Sequence, residues 1–449
     1  MSTGNAALVR MLLRPSRLGI DAVLLPAVAF TVVTVVTFGA VALALRLWAV
    51  RDNAFSAYAL LGGALMVFLL APVISLVSAA TRLSTRRRDD RLSTLRLFGA
   101  SGRFLRRVAV GEMAIDSALG IVAGTATYLA VAPLVALIPV QGLATQPEDT
   151  WLPWPVMVGV AVLIELLVVA IVVAGLRRIE VSPLAVRVRA VPRGARARAL
   201  LIGVAVIVVG LVVMQLAGQN WGVTGIAIGY IVALATIMTA VNLVGPVLTR
   251  WIAQLRRRRA KDLSGLLSTR SVLEDPKAAW RQVAPVGIAT FIVVPAGSVL
   301  GYLNTIATSS NAVGSAALML FADFRTVAIV AVVVAFLIVG CSVGITQAAE
   351  ILDRRATYVA LDRVGVPRSL MQRARRRAVW IPLGIATVGA ALLSTALDFL
   401  VLVISLASSP LFLLGVVALL ILGVLLVLAA VQATRPVLQG VLATPERAL

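Results

Sequence analysis

Apolar runs long enough to cross a bilayer recur along this 449-residue chain, separated by short segments dense in arginine. A helix needs about 20 residues to span the hydrocarbon core. Ten segments meet that length, near 18–46, 55–80, 113–140, 152–176, 199–217, 222–247, 282–303, 325–348, 379–405 and 410–432. The pattern predicts an all-α, polytopic membrane protein. Its outer connections, at 47–54, 141–151, 218–221, 304–324 and 406–409, are too short for a folded external domain.

Charge orients these spans. With the N-terminus inside, the inner segments 1–17, 81–112, 177–198, 248–281, 349–378 and 433–449 carry 3, 9, 7, 9, 8 and 2 Lys or Arg, which is 38 of the 41 in the chain. Arg46, Arg51 and Arg325 are the exceptions. Because Lys and Arg in short loops resist translocation, both termini are expected in the cytoplasm. The net charge of +22 lies beside membrane spans rather than on a soluble basic domain. That placement argues for contact with membrane lipids and against nucleic-acid binding.

Residue types exclude several chemistries. With no His and one Cys, the chain offers no His-based triad, no Cys/His metal cluster and no disulfide. Cys341 reads as a small apolar filler of the eighth span. No G-x-x-x-x-G-K-[ST] phosphate loop occurs, so the chain is not expected to be an enzyme or to bind a cofactor. Any ATP hydrolysis linked to it belongs to another subunit.

The spans fall into a four, two, four pattern: a first block at 1–176, a basic loop and central hairpin at 177–259, and a second block at 260–449. At an offset of 266 residues, RLSTLRLFGASGRFLRR from Arg91 lies beside TYVALDRVGVPRSLMQR from Thr357. Leu95 then meets Leu361, Gly99 meets Gly365 and Arg107 meets Arg373. Both copies follow one plan: an amphipathic helical stretch, a glycine break, and a basic helix leading into the next span. Gly99 and Gly365 suit the left-handed turn that ends a helix, while Ser101 and Pro367 suit the start of the next. Leu92, Leu95 and Phe98 form an apolar stripe flanked by Arg88, Arg91 and Arg96, which predicts a short helix lying flat beneath the membrane.

Residues 86–124, RRRDDRLSTLRLFGASGRFLRRVAVGEMAIDSALGIVAG, resemble the signature of FtsX-like permeases, the membrane subunits of MacB-type ABC transporters. The positions carrying the resemblance are the charged run Arg86 to Asp90, then Leu95, Arg96, Gly99, Ala100, Ser101, Arg106, Arg107, Glu112, Gly120 and Gly124. The second copy departs from it, with Asp362 in place of the motif arginine and Ala378 in place of the glutamate. The run before the seventh span, with Asp275, Pro276 and Arg281, is similar to the lead-in helix of two-block members.

The resemblance implies a bacterial cell-membrane permease that couples ATP hydrolysis by a separate cytoplasmic ABC ATPase to export of an amphiphile, such as an antimicrobial peptide, a hydrophobic drug or a lipid. ATP and Mg would be bound by that partner, with two copies per two-block chain. Its docking residues would be Leu92, Leu95, Arg96, Phe98, Gly99 and Arg103 in the first copy. Leu361, Asp362, Gly365, Pro367 and Arg368 would serve in the second.

Glu165, near the middle of the fourth span, must be paired, protonated or solvated, since a carboxylate there costs about 2.5–3.5 kcal/mol. It reads as a substrate-binding point, with Asn242 a candidate beside it, or as a structural bond to Asn242, a Ser or a Thr. Two other function classes stay open: a subunit that transmits mechanical force without cargo, and a secondary transporter in which Glu165 carries a coupling proton.

Overall fold

The computed structural model describes residues 21–50, 55–97, 102–136, 150–180, 222–259, 262–309, 315–408 and 410–434, with isolated positions at 138, 201–212 and 439. In these residues the chain forms α1 (Asp21–Ala49), α2 (Phe55–Leu97), α3 (Gly102–Val135), α4 (Trp154–Glu180), α5 (Gly222–Arg259), α6 (Leu263–Glu274), α7 (Pro276–Ser309), α8 (Ser315–Asp353), α9 (Arg355–Arg363), α10 (Arg368–Leu397), α11 (Phe399–Ser408) and α12 (Pro410–Ala433). No strand occurs among the described residues. Eight of these helices are long and apolar enough to cross a membrane. The sixth predicted span falls within α5, and most of the fifth lies outside the described residues. The chain is an all-α, multi-pass membrane protein.

It divides into two compact units, Met1–Arg46 with Val73–Val188, and Leu47–Pro72 with Arg189–Leu449. In the first unit α1, α3 and α4 enclose a small core of Phe38, Ala42, Tyr128, Ala132 and Leu152. The rings of Phe38 and Tyr128 meet edge to face, 5.3 Å apart at 88°, so the positive edge of one faces the negative face of the other. Tyr128 is buried without an unmet polar atom because its hydroxyl donates to the Thr150 carbonyl at 2.9 Å. Gly120 and Gly124 lie one helical turn apart and let α3 approach the backbone of α1. A Cβ on Gly124 would stand 2.6 Å from Cβ of Thr34, and one on Gly120 would collide with Phe30.

In the second unit α7 is the hub, packed against α5, α8, α10, α11 and α12. Its apolar window is 82 % buried, against 17 % for that of α4, so α7 is a core helix and α4 shows most of its surface to the surroundings. Val283, Val286, Val293 and Val294 of α7 pack with Val332, Phe336, Val339 and Val343 of α8, with Val379 and Leu383 of α10, and with Val427 and Val431 of α12. Spacings of three, four and seven residues put most of each set on one helix face, and the adjacent Val293 and Val294 widen that face on α7.

Three expectations change. The flat helix predicted around Leu92–Phe98 is not separate, because α2 runs unbroken from Phe55 to Leu97. No glycine or proline stands between Pro72 and Gly99 to stop it. The predicted outer loop 304–324 is largely helical, with α7 continuing to Ser309 and α8 starting at Ser315. Within it Asp323 is buried and accepts a hydrogen bond from Tyr58 Oη at 2.6 Å, a pairing that makes helix there favourable. The basic segment 248–281 is mostly helical, spanned by the end of α5, by α6 where the lead-in helix is expected, and by the start of α7. The ninth span is divided at Asp398 into α10 and α11. Asp398 is buried there and accepts from the Ser298 hydroxyl, while its backbone carbonyl accepts from Leu402 N–H at 2.9 Å to start α11.

Gly124→Ala is expected to lower stability by about 1–3 kcal/mol through overpacking against Thr34. Gly159→Ala, where an added Cβ meets nothing within 4 Å, is expected to leave it unchanged or slightly higher. Thermal melting of the detergent-solubilised protein reads both, and equal melting temperatures would exclude the close α1–α3 approach.

Candidate functional site

The predicted second elbow is present. α8 ends at Asp353, Arg354 turns the chain, α9 follows over Arg355–Arg363, and α10 begins at Arg368. The end of α9 is a paired carbonyl cap: Val366 N–H donates to Leu361 O and Gly365 N–H donates to Asp362 O, each at 3.0 Å. Gly365 sits at φ +85, a region in which a Cβ is strained, and this is why a glycine ends this helix. Pro367 occupies the N-cap of α10, and its carbonyl accepts from Leu370 N–H at 2.9 Å. Asp362, the departure from the motif arginine, pairs with Arg368 across the bend at 3.4 Å. The tip is open to its surroundings: Val364 is 81 % exposed, and Gly365, Pro367 and Arg368 are exposed beside it.

Behind this tip lies a cavity of about 310 Å³ lined by α6, α7, α8, α9 and α10. A chain of polar side chains crosses its inner wall. Arg354 contacts Glu350 at 3.4 Å, Glu274 at 3.5 Å and Ser271 Oγ at 2.9 Å. Gln282 donates to Glu350, and Gln347 donates to Gln282 Oε1 at 2.6 Å. Arg375 closes the chain by donating to Gln347 Oε1 at 3.4 Å, to Val431 O at 3.2 Å and to the Thr434 hydroxyl. Gln282 and Gln347 are buried, so each amide needs these partners: a buried polar group without one costs about 1–3 kcal/mol. Tyr358 of α9 also faces the cavity. Burial raises its phenol above the ordinary value, the Glu350 charge adds to the rise, and Arg375 and Arg354 oppose it. The phenol therefore stays protonated and able to donate at neutral pH.

The other sequence-predicted residues are distributed as follows. Leu92, Leu95 and Arg96 fall on the last turns of α2, and Arg103 on the first turn of α3. Phe98 and Gly99 lie outside the described residues. Leu361 lines the cavity. One carboxylate oxygen of Glu165 accepts from Ser117 Oγ at 2.8 Å, and the other is buried without a hydrogen bond. Ser117 Oγ also lies 2.8 Å from Met113 O, and its single proton serves one acceptor at a time. Asn242 has a different partner, accepting from Trp280 Nε1 at 3.2 Å.

Sequence reading missed the polar chain behind the elbow. One signal was present: Gln347, Glu350 and Arg354 recur at three and four residues, a polar stripe on one face at the end of an apolar helix. No cluster of acidic or sulfur residues that could hold a metal occurs among the described residues.

Comparison with known proteins bears on the first unit. Residues 63–181 match the family model described as FtsX-like permease C-terminal. No curated protein matches the chain. The matched stretch covers most of α2, all of α3 and α4, and the Gly120 and Gly124 contact. Members of this family are non-catalytic membrane subunits that associate with an ABC ATPase. Residues 63–181 are therefore similar to the C-terminal domain of FtsX-like permeases, and this likeness supports a membrane permease component of an ABC-type transporter.

Proposed function

We propose that this permease is the membrane subunit of a bacterial exporter driven by separate ATPase subunits that dock on the arginine-rich segments 81–112 and 349–378. The observation that carries the reading is the second elbow, whose exposed tip at Val364–Arg368 continues into a buried polar chain reaching α7, α8 and α12. A load applied at such a tip is passed to the bundle, because Gln282 and Gln347 are buried and a shift that breaks their hydrogen bonds leaves an amide unmet. ATP and Mg belong to the partner, and two blocks in one chain favour two ATPase copies. The arginine asymmetry puts both elbows and both termini in the cytoplasm of the cell membrane.

The cargo is an amphiphile that can be met within the bilayer: an antimicrobial peptide, a hydrophobic drug or a lipid. The short outer connections offer no separate domain to collect it, and efflux with antibiotic resistance is the physiological setting this favours. A proton-coupled transporter is the second reading, favoured by the carboxylate oxygen of Glu165 that lacks a hydrogen bond.

The docking reading predicts that the cognate ATPase co-purifies with the wild-type chain and is lost from the Leu361→Asp/Gly365→Asp variant and from Leu95→Asp/Gly99→Asp. A complex that survives both double substitutions would sink it. Glu165→Gln is expected to keep the protein folded and to lower substrate-stimulated ATPase activity several-fold. Full stimulation would leave Glu165 a structural partner of Ser117, and transport by the chain without nucleotide would favour the proton-coupled reading.

A further inference from the structure

The cavity behind the second elbow is lined by three arginines, Arg270, Arg354 and Arg375, and three carboxylates, Glu274, Asp275 and Glu350. Their numbers balance and their pairing does not. Glu274 and Glu350 both bind Arg354, and Glu350 also accepts from Gln282. Asp275 accepts from the Ala278 backbone N–H at 2.9 Å and so caps the start of α7. Arg375 touches neutral acceptors alone, Gln347, Val431 and Thr434; Glu350 is within electrostatic reach of it but is committed to Arg354. Arg270 is exposed and makes no ion pair among the described residues. The cleft therefore holds two guanidinium charges without a bound carboxylate, together with the Tyr358 hydroxyl as a further donor. Its remaining wall is apolar, including Leu267, Val272, Ile351, Met371 and Val379.

We propose that this cavity binds the headgroup of an anionic phospholipid, with the phosphate diester drawn to Arg270 and Arg375 and the first carbons of the acyl chains against the apolar wall. The cavity is neutral overall but holds two guanidiniums not bound to a carboxylate, and arginines so placed among helices at the cytoplasmic boundary of a bilayer suit such headgroups. A free phosphate carries at least as much charge but makes no use of the apolar wall, and a zwitterionic lipid lacks the net charge. The site is particular to the second half. At the offset of 266 residues, Gln282, Gln347, Glu350, Tyr358 and Arg375 correspond to Ser16, Thr81, Ser84, Leu92 and Ala109, so the first half has no counterpart of the cradle. A bound lipid would wedge between α6 and α9 and brace the elbow from behind.

The test uses the full-length chain in detergent, titrated with phosphatidylglycerol, phosphatidylcholine or inorganic phosphate and read by native mass spectrometry. Phosphatidylglycerol is expected to bind in preference to phosphatidylcholine. Arg270→Gln and Arg375→Gln should each weaken it about fivefold, with little effect from Arg376→Gln, an exposed position that does not line the cavity. Arg375→Lys should retain most of the affinity. Because Arg270 is on the surface, its variant carries the test even if Arg375→Gln fails to fold. Equal phosphatidylglycerol binding by Arg270→Gln and the wild type would overturn the proposal. So would equal binding of phosphatidylcholine, or phosphate binding at the arginines without any preference for the lipid. The outcome is independent of ATPase docking, which is read by co-purification.

Discussion

The hydrogen-bonded chain Arg354–Glu350–Gln282–Gln347–Arg375 is the interaction on which the second half is built. It joins α7, α8 and α10 at the end where apolar packing stops, and through Val431 and Thr434 it also holds the end of α12. Apolar packing is non-directional and would let these helices slide by a fraction of a turn. Amides and a guanidinium with few alternative partners do not, because displacement leaves buried donors unmet. The chain therefore sets the register of helices whose other contacts are apolar and mostly valine.

The same reasoning accounts for where polar groups occur farther along the bundle. Tyr58 with Asp323, and Asp398 with Ser298, are each short buried pairs, and Ser394 donates to the Phe291 carbonyl at 2.7 Å. α7 contributes Phe291 and Ser298 as well as Gln282. The hub helix thus carries both the largest apolar contact surface and a polar anchor at several levels. Glu165 differs from all of these, since one of its carboxylate oxygens has no hydrogen bond. A polar group left unmet at membrane depth is more costly than one in a paired network, and this is the physical ground of the proposal that Glu165 takes part in transport.

The two elbows are unequal. In the second, Gly365 reverses the chain and nine residues form a separate helix. In the first, α2 carries the helix through to Leu97 with no such break before it. If force enters through both, it meets a hinged arm on one side and a continuous rod on the other. The cavity, with its unpaired arginines, exists on the hinged side, where a ligand has a joint to stiffen.

Much of this was legible in the chain before any coordinates. Run length identified the eight helices that are long and apolar enough to cross a membrane among the described residues, because the hydrocarbon core sets their minimum size. Gly365 marked a turn because few residues adopt its backbone conformation. The boundaries of α2, α8 and α10 were not legible: whether a polar stretch continues as helix depends on partners such as Tyr58 for Asp323, 265 residues away in sequence. The cavity was hidden for the same reason. Equal numbers of acids and bases line it, and the tertiary arrangement alone decides which carboxylate is spent on Arg354 or on a helix N-terminus, and which guanidinium is left to hold an anion.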